Sequence, residues 1–272
     1  MAVRRWRLSS IVQLIILLIW MLLALFGQLL PLNPEKMELT QVLKSPNWQA
    51  LLGWDDLGRL VWDRLVMGAR TSFLVATGVI SISLFIGTLL GTITAYIGGW
   101  LDHLAVRIID VFLAFPGILL AIALAGLLGP GIDNVVMALG SVGWVSFARL
   151  SRAQVLSIKH HAHVQAARAL GVRGPQIIIR HLLPLILAPL IVEATFGVAS
   201  VVTAEAGLSF LGLGVQPPAA SWGSMIRDGT RYLLVAPHLV LAPGLALAAV
   251  VLSVNLLGDA LRDYLDVKQN HH

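Results

Sequence analysis

Glu193 is an acid in the middle of the apolar run Leu185–Ala204. At helical rise it sits about 12 Å into a helix that begins at Leu185. An acid at the centre of a membrane helix costs roughly 2.5–3.5 kcal/mol and usually faces a cavity or a partner group. Two readings stay open: a residue lining a path through a helix bundle, or a glutamate hydrogen-bonded to a neighbouring helix. Glu205 and Ser209 follow at the far end of the same run as candidate path or gate residues, and helix-end structure accounts for Glu205 equally well. His160, His161 and His163 crowd one polar stretch, but no carboxylate stands beside them to complete a metal-ligand set. They read as a polar turn, and His181 as a residue that packs or hydrogen-bonds against a partner. A Ser-His-Asp arrangement would need groups from separate runs to converge, and no spacing favours it. The chain has no cysteine. A phosphate-cradling loop needs Gly-Lys-Ser/Thr, whereas none of Lys36, Lys44, Lys159 and Lys268 follows a glycine. The expectation is a non-catalytic chain with no metal and no cofactor.

The elements that would position these residues are apolar. Hydrophobic residues make up 57% of the 272 and charged residues only 12%, about half the charge of a soluble domain. Six runs are candidates to cross a membrane: Ile11–Leu30, Phe73–Tyr96, Val111–Leu128, Asn134–Phe147, Leu185–Ala204 and Leu239–Leu257. The pattern is unbroken rather than alternating, which excludes a β-barrel. The fold class is therefore an all-α membrane protein with six transmembrane helices. The first run follows Arg4, Arg5 and Arg7 but is too long for a signal-peptide core, so it is read as a retained helix. With the N-terminus placed in the cytoplasm, twelve Lys and Arg fall inside and seven outside, which supports both termini cytoplasmic. The formal net charge of +5 could suggest nucleic acid, but the basic residues cluster rather than spread over one face, and no nucleic-acid partner is expected. Gly87, Gly91 and Ala95 recur at four-residue spacing, a pattern that lets helix backbones approach closely.

The segment from Arg149 to Pro184 carries six basic residues and no acid. It is too polar to span and reads as short helices on the cytoplasmic side. Residues 164–171 form a helix ending at Gly171, Gly174-Pro175 breaks the chain, and a second stretch, Gln176–Leu183, ends at Pro184 where the fifth span starts. Such a helix can dock a soluble partner as a rigid lever. A basic loop on anionic lipid headgroups is the plainer reading, and both can hold. Arg107 and Asp110 are spaced to pair on one helix.

Gln165-Ala166-Ala167, Gly171 and Leu183-Pro184 resemble the EAA loop of bacterial ABC importer permeases, with Gln165 in place of the usual Glu. Leu52-Gly-Trp-Asp-Asp-Leu-Gly-Arg59, Arg64, Gly68-Ala-Arg70 and Ser72 resemble the N-terminal signature of the dipeptide, oligopeptide and nickel permeases, with Trp54 and Leu60 replacing the usual Thr and Asp. Residues 205–218, Ser221-Trp-Gly-Ser-Met225, Pro243-Gly244 and Asn255-Leu-Leu-Gly-Asp259 are similar to the C-type subunit of those systems.

The resemblance implies a type I importer (MetI-like) permease fold in the bacterial inner membrane. Residues 1–70 would supply a first helix and an extracytoplasmic segment, 71–266 the permease domain with its coupling loop at 159–184, and 267–272 a tail. It implies Gln165, Ala166, Ala167, Arg168, Gly171, His181, Leu183 and Pro184 as the ATPase-coupling residues. The implied partners are a second homologous permease in a heterodimer, two cytoplasmic ATPase subunits, an extracytoplasmic substrate-binding protein and membrane lipid. Peptides are the leading cargo, with nickel or a nickel chelate second. The rival class is an ion-coupled secondary transporter, which would be expected to carry several intramembrane acids and often repeated halves. Glu193 is the one clear candidate acid.

Overall fold

A backbone surrounded by lipid must satisfy its own N–H and C=O groups, so the apolar runs become helices. The computed structural model describes residues 8–269, with side-chain surroundings for 11–265. Arg4, Arg5, Arg7 and the last tail residues, 270–272, lie outside the described residues, as does the side chain of Lys268. The helices are α1 (Leu8–Phe26), α2 (Val61–Ile97), α3 (Gly99–Leu113), α4 (Gly117–Leu128), α5 (Ile132–Ile158), α6 (Ala162–Ala169), α7 (Gly174–Ile177), α8 (Leu183–Phe210), α9 (Trp222–Thr230) and α10 (His238–Gln269). Among the described residues there is no β-strand, only an isolated bridge between Trp54 and Leu60. α2 runs unbroken through the expected division at residue 70.

Four stretches are long and apolar enough to cross a membrane: Ile11–Leu29, Val61–Ile97, Gly174–Phe210 and His238–Leu265. The third expected run, Val111–Leu128, is not one straight helix. α3 and α4 meet at a bend of 83°. Pro116 supplies no backbone N–H and pushes Phe115 away from helical geometry, so the chain breaks there. Counted as one span, the bent pair makes a fifth. The fourth expected run lies within α5, whose 27 residues would reach about 40 Å. Its composition is more polar because α5 packs against α2, α4 and α8 and needs less lipid-facing surface.

The most extensive packing in the bundle joins α2 to α5. A side chain at Gly87 would strike the Trp144 carbonyl and Phe147, and one at Gly91 would strike the Ala148 carbonyl and Ser151. The expected small-residue face is therefore a backbone-to-backbone contact. Ser151 Oγ is buried in this seam and donates to the Phe147 carbonyl at 2.7 Å. α1 packs on α2 and α10, with Trp20 Nε1 donating to the Ala69 carbonyl at 3.2 Å. The expected Arg107–Asp110 pair does not form. Asp102 of α3 instead takes Arg152 of α5 through two bonds of 2.6 and 2.8 Å.

The start of α2 is held by a buried ionic cluster. Asp55 Oδ2 accepts from Arg59 Nε and from Arg64 Nη1, each at 2.7 Å. Its Oδ1 accepts from the backbone N–H groups of Arg59 and Leu57 at 2.8 and 2.9 Å. Asp55, Arg59 and Arg64 are 3%, 6% and 5% exposed; Asp55 is the near partner of both cations, and Asp56 and Asp228 stand farther off, each at 3.7 Å from Arg59 and Arg64 respectively. Gly58 sits at φ +72° with its Cα against the Glu38 carbonyl, a conformation and a closeness that a side chain would not permit.

Two predictions follow from this cluster. Asp55→Ala leaves two buried guanidiniums with only longer contacts and should cost about 3–5 kcal/mol, read as thermal unfolding of the purified complex. Burial, and next the adjacent Asp55 charge, push the Asp56 carboxyl above its ordinary range. Such a group holds its proton more tightly when folded, so its ionisation removes stability as pH rises from the unfolded toward the folded value. Asp56→Asn should then stabilise slightly above that window, by no more than about 0.5 kcal/mol for a part-exposed site, and the gain should vanish on acidification.

Candidate functional site

α6 is a short helix pinned along one side and bare along the other. Its start follows a turn in which Gln165 Nε2 donates to the His160 carbonyl at 2.9 Å. Its end is closed by Gly171 at φ +78°, with Val172 N donating to the Ala167 carbonyl at 3.1 Å. That is the glycine-terminated stop expected from the sequence. Val164 and Ala167 are buried and join Ile177, Leu182, Ile186 and Leu190 in one apolar cluster. Gln165, Ala166 and Arg168 lie on the exposed side, next to Leu170, which is 84% exposed. The two alanines thus point opposite ways, and only Ala166 is presented outward.

Two contacts tie α6 and its approach to the end of α2. The Arg168 guanidinium lies 4.7 Å from the centre of the Tyr96 ring, a cation–π contact. Lys159 Nζ donates to the Ala95 carbonyl at 2.9 Å, where the C-terminal end of a helix favours a cation. Sequence reasoning missed Tyr96, Lys159 and Ala95 in these roles, because nothing in the order of residues brings position 96 to position 168.

Pro184 does not start a new helix. Gly174–Phe210 is one continuous helical stretch, with a π-helical turn at Ile178–Leu182. The wider turn lets Leu183 N reach the Ile178 carbonyl and absorbs the missing N–H and the bulk of Pro184 inside a helix. Leu183 is half-buried against the cluster and Pro184 is exposed. His181 stacks at 6.3 Å on His163, which meets His161 at 5.8 Å. Among the described residues no group of three His, Cys, Asp or Glu could hold a metal ion.

Glu205 and Ser209 sit inside the packing rather than on an open wall, at 1% and 0% exposure. Ser209 Oγ donates to Glu205 Oε1 at 2.7 Å and Ser72 Oγ of α2 donates to Oε2 at 3.0 Å. α9 is locked beside them: Trp222 Nε1 donates to the Leu65 carbonyl at 3.0 Å, Thr71 Oγ1 to the Ala220 carbonyl at 2.9 Å, and Ser221 and Ser224 cap the helix reciprocally. Glu193 lies elsewhere. The continuous helix starts at Gly174, so Glu193 is roughly 28 Å from that end and 25 Å from Phe210, near the middle. It borders a cavity of about 400 Å³ together with Gln154 of α5, Pro189 and Phe196 of α8, and Arg262 and Leu265 of α10.

α6 is thus a short helix packed on the ends of long apolar helices. Residues 87–271 match the family model described as binding-protein-dependent transport system inner membrane component. The chain belongs to this family. It is an inner-membrane permease component of an ABC importer. A dipeptide transport system permease protein DppC from Alkalihalophilus pseudofirmus is 42% identical over 95% of this chain and 86% of the relative. Glutathione transport system permease proteins GsiD are similar too: that of Pectobacterium atrosepticum is 39% identical over 88% of this chain and 80% of the relative. That of Escherichia coli O1:K1 is 38% identical over 97% and 88%. An inward-facing structure of the MetNI methionine ABC transporter superposes with a TM-score of 0.56, at 20% identity, over 74% of this chain and 95% of that one; that likeness carries the fold alone. Membership implies an ATPase and a substrate-binding protein as partners of the permease, and leaves the ion-coupled carrier reading without support.

Replacing Glu205 with Ala orphans the buried Ser72 and Ser209 hydroxyls. We expect a loss of about 1–3 kcal/mol for the permease, measured by thermal unfolding, with Glu205→Gln falling between the two because its amide oxygen still accepts one bond.

Proposed function

We propose that this permease is one half of a heterodimeric, ATP-driven importer of peptides, and that α6 is its coupling helix. The observation that supports the reading is α6 itself. It is anchored by Val164, Ala167 and the Arg168–Tyr96 contact to the ends of α2 and α8, yet leaves Gln165, Ala166 and Leu170 uncovered. A surface of that kind transmits a rigid push from a docked ATPase into two long helices.

Both termini and α6 lie on the cytoplasmic side in this reading. Residues 1–70 supply α1 and the outer loop, 71–266 the transporting unit, and 267–272 a tail. A second permease completes the path, two ATPases dock on the α6 helices, lipid headgroups meet the basic 149–184 segment, and a binding protein delivers cargo on the far side. Peptides are favoured because relatives at 38–42% identity are named for dipeptide and glutathione transport; nickel is a family-level alternative only. ATP binding draws the ATPases together and rocks the helices between inward and outward access. The permease makes and breaks no covalent bond. His181, Leu183 and Pro184 shape the root of the lever, Glu193 lines the path, and Glu205 with Ser209 acts in gating by holding α8 to α2 rather than by touching cargo.

The reading is tested by reconstituting the permease pair, ATPases and binding protein in vesicles. Dipeptide uptake should require ATP, and uptake driven by an ion gradient without the ATPases would overturn it. A Cβ added at Gly171 meets no atom within 4 Å, so the main effect of Gly171→Val is on a left-handed backbone that costs a β-branched residue about 1–2 kcal/mol. The variant should insert normally and bind ATPase, but hydrolyse ATP with uptake reduced several-fold. Normal coupling would count against the role of α6.

A further inference from the structure

We infer that the cavity beside Glu193 is a binding site for the terminal ammonium group of a peptide cargo, held while the path is open to the α6 end. This inference rests on the peptide-importer reading and adds the chemistry of the site.

Among the described residues the Glu193 carboxylate has neither a hydrogen bond nor an ion pair, although it stands near the middle of a 37-residue helical stretch that is long and apolar enough to cross a membrane. A carboxylate placed there without an internal partner calls for one from outside. The cavity's volume, about 400 Å³, falls within the range of small-ligand sites, roughly 300–1,000 Å³. Its walls supply what an ammonium group uses: one carboxylate, the Gln154 amide, and the Phe196 ring, whose face attracts a cation.

The recess runs from Glu193 toward the ends of α5 and α10, where Gln154, Arg262 and Leu265 stand. Arg262, which has an interaction of its own, also lines the recess, and no second acid does. A peptide with its amine at Glu193 therefore meets no like charge at its other end. Divalent metal cargo fits less well. A bare metal ion takes several oxygen, nitrogen or sulfur ligands, whereas this wall offers one acid and one amide, and no described trio of His, Cys, Asp or Glu could hold a metal.

The test uses the assembled permease–ATPase complex in nanodiscs, without nucleotide and without the binding protein, so that selection by the latter does not enter. Calorimetric titration compares Ala-Ala with N-acetyl-Ala-Ala. The wild-type complex should prefer the free amine by about 10-fold or more, the scale of one charge-assisted hydrogen bond. Glu193→Gln, nearly the same shape, should erase that preference and leave the acetylated ligand unchanged, which also reports that the variant is folded. Equal affinity for both ligands in the wild type, no binding of Ala-Ala, or an equal fall for both ligands in Glu193→Gln would each overturn the inference. ATP-driven Ala-Ala uptake by the complete importer, measured in parallel, separates the two readings. Uptake without amine preference in the nanodisc complex defeats the ammonium site alone, whereas no peptide uptake at all defeats the peptide reading as well.

Discussion

At Gly87 and Gly91 the backbones of α2 and α5 meet with no side chain between them, and the rest of the bundle is arranged around that seam. In lipid there is little hydrophobic drive between helices, so van der Waals contact over a close backbone approach does most of the joining. The seam makes α2 a strut 37 residues long. Polar contacts are fastened along it: the Asp55–Arg64 cluster at its start, Ser72 with Glu205 about two turns further on, and Ala95 with Tyr96 at its far end.

The polar contacts along α2 are of two kinds, divided by how dry they are. Near its start they are buried, and Asp55, Arg64, Ser72 and Glu205 are each 5% exposed or less. A buried ion pair is costly to break because the group left behind has no water, so this end is built to hold its shape. At the far end, Arg168 is exposed and holds Tyr96 through a ring face, while Lys159 reaches a helix-terminal carbonyl. Contacts of this kind are individually weak and tolerate sliding.

The π turn at Ile178–Leu182 belongs to the same design. It joins the apolar cluster under α6 directly to α8 without a break, so that Val164 and Ala167 pack onto a single helix that runs past Glu193 to Glu205. A proline-terminated helix followed by a separate span would have placed a flexible joint there. The wider turn, in which Leu183 N reaches the Ile178 carbonyl, makes room for Pro184 and keeps the rod continuous.

The order of residues alone determined the class of the molecule: long apolar runs with few charges become helices in lipid, and a glycine at the offset of Gly171 from Ala167 stops a helix. The glycine spacing in α2 was legible for the same reason, since a period of four marks one helix face. Tertiary structure decided which groups meet. Glu205 joins Ser72, Trp222 reaches Leu65, and Arg168 finds Tyr96, because pairing across helices depends on rotation and depth, which local sequence does not encode. The bend at Pro116 and the continuity through Pro184 have the same root. One proline breaks a helix and another is absorbed by it, and the choice rests with the neighbours that satisfy the freed backbone groups.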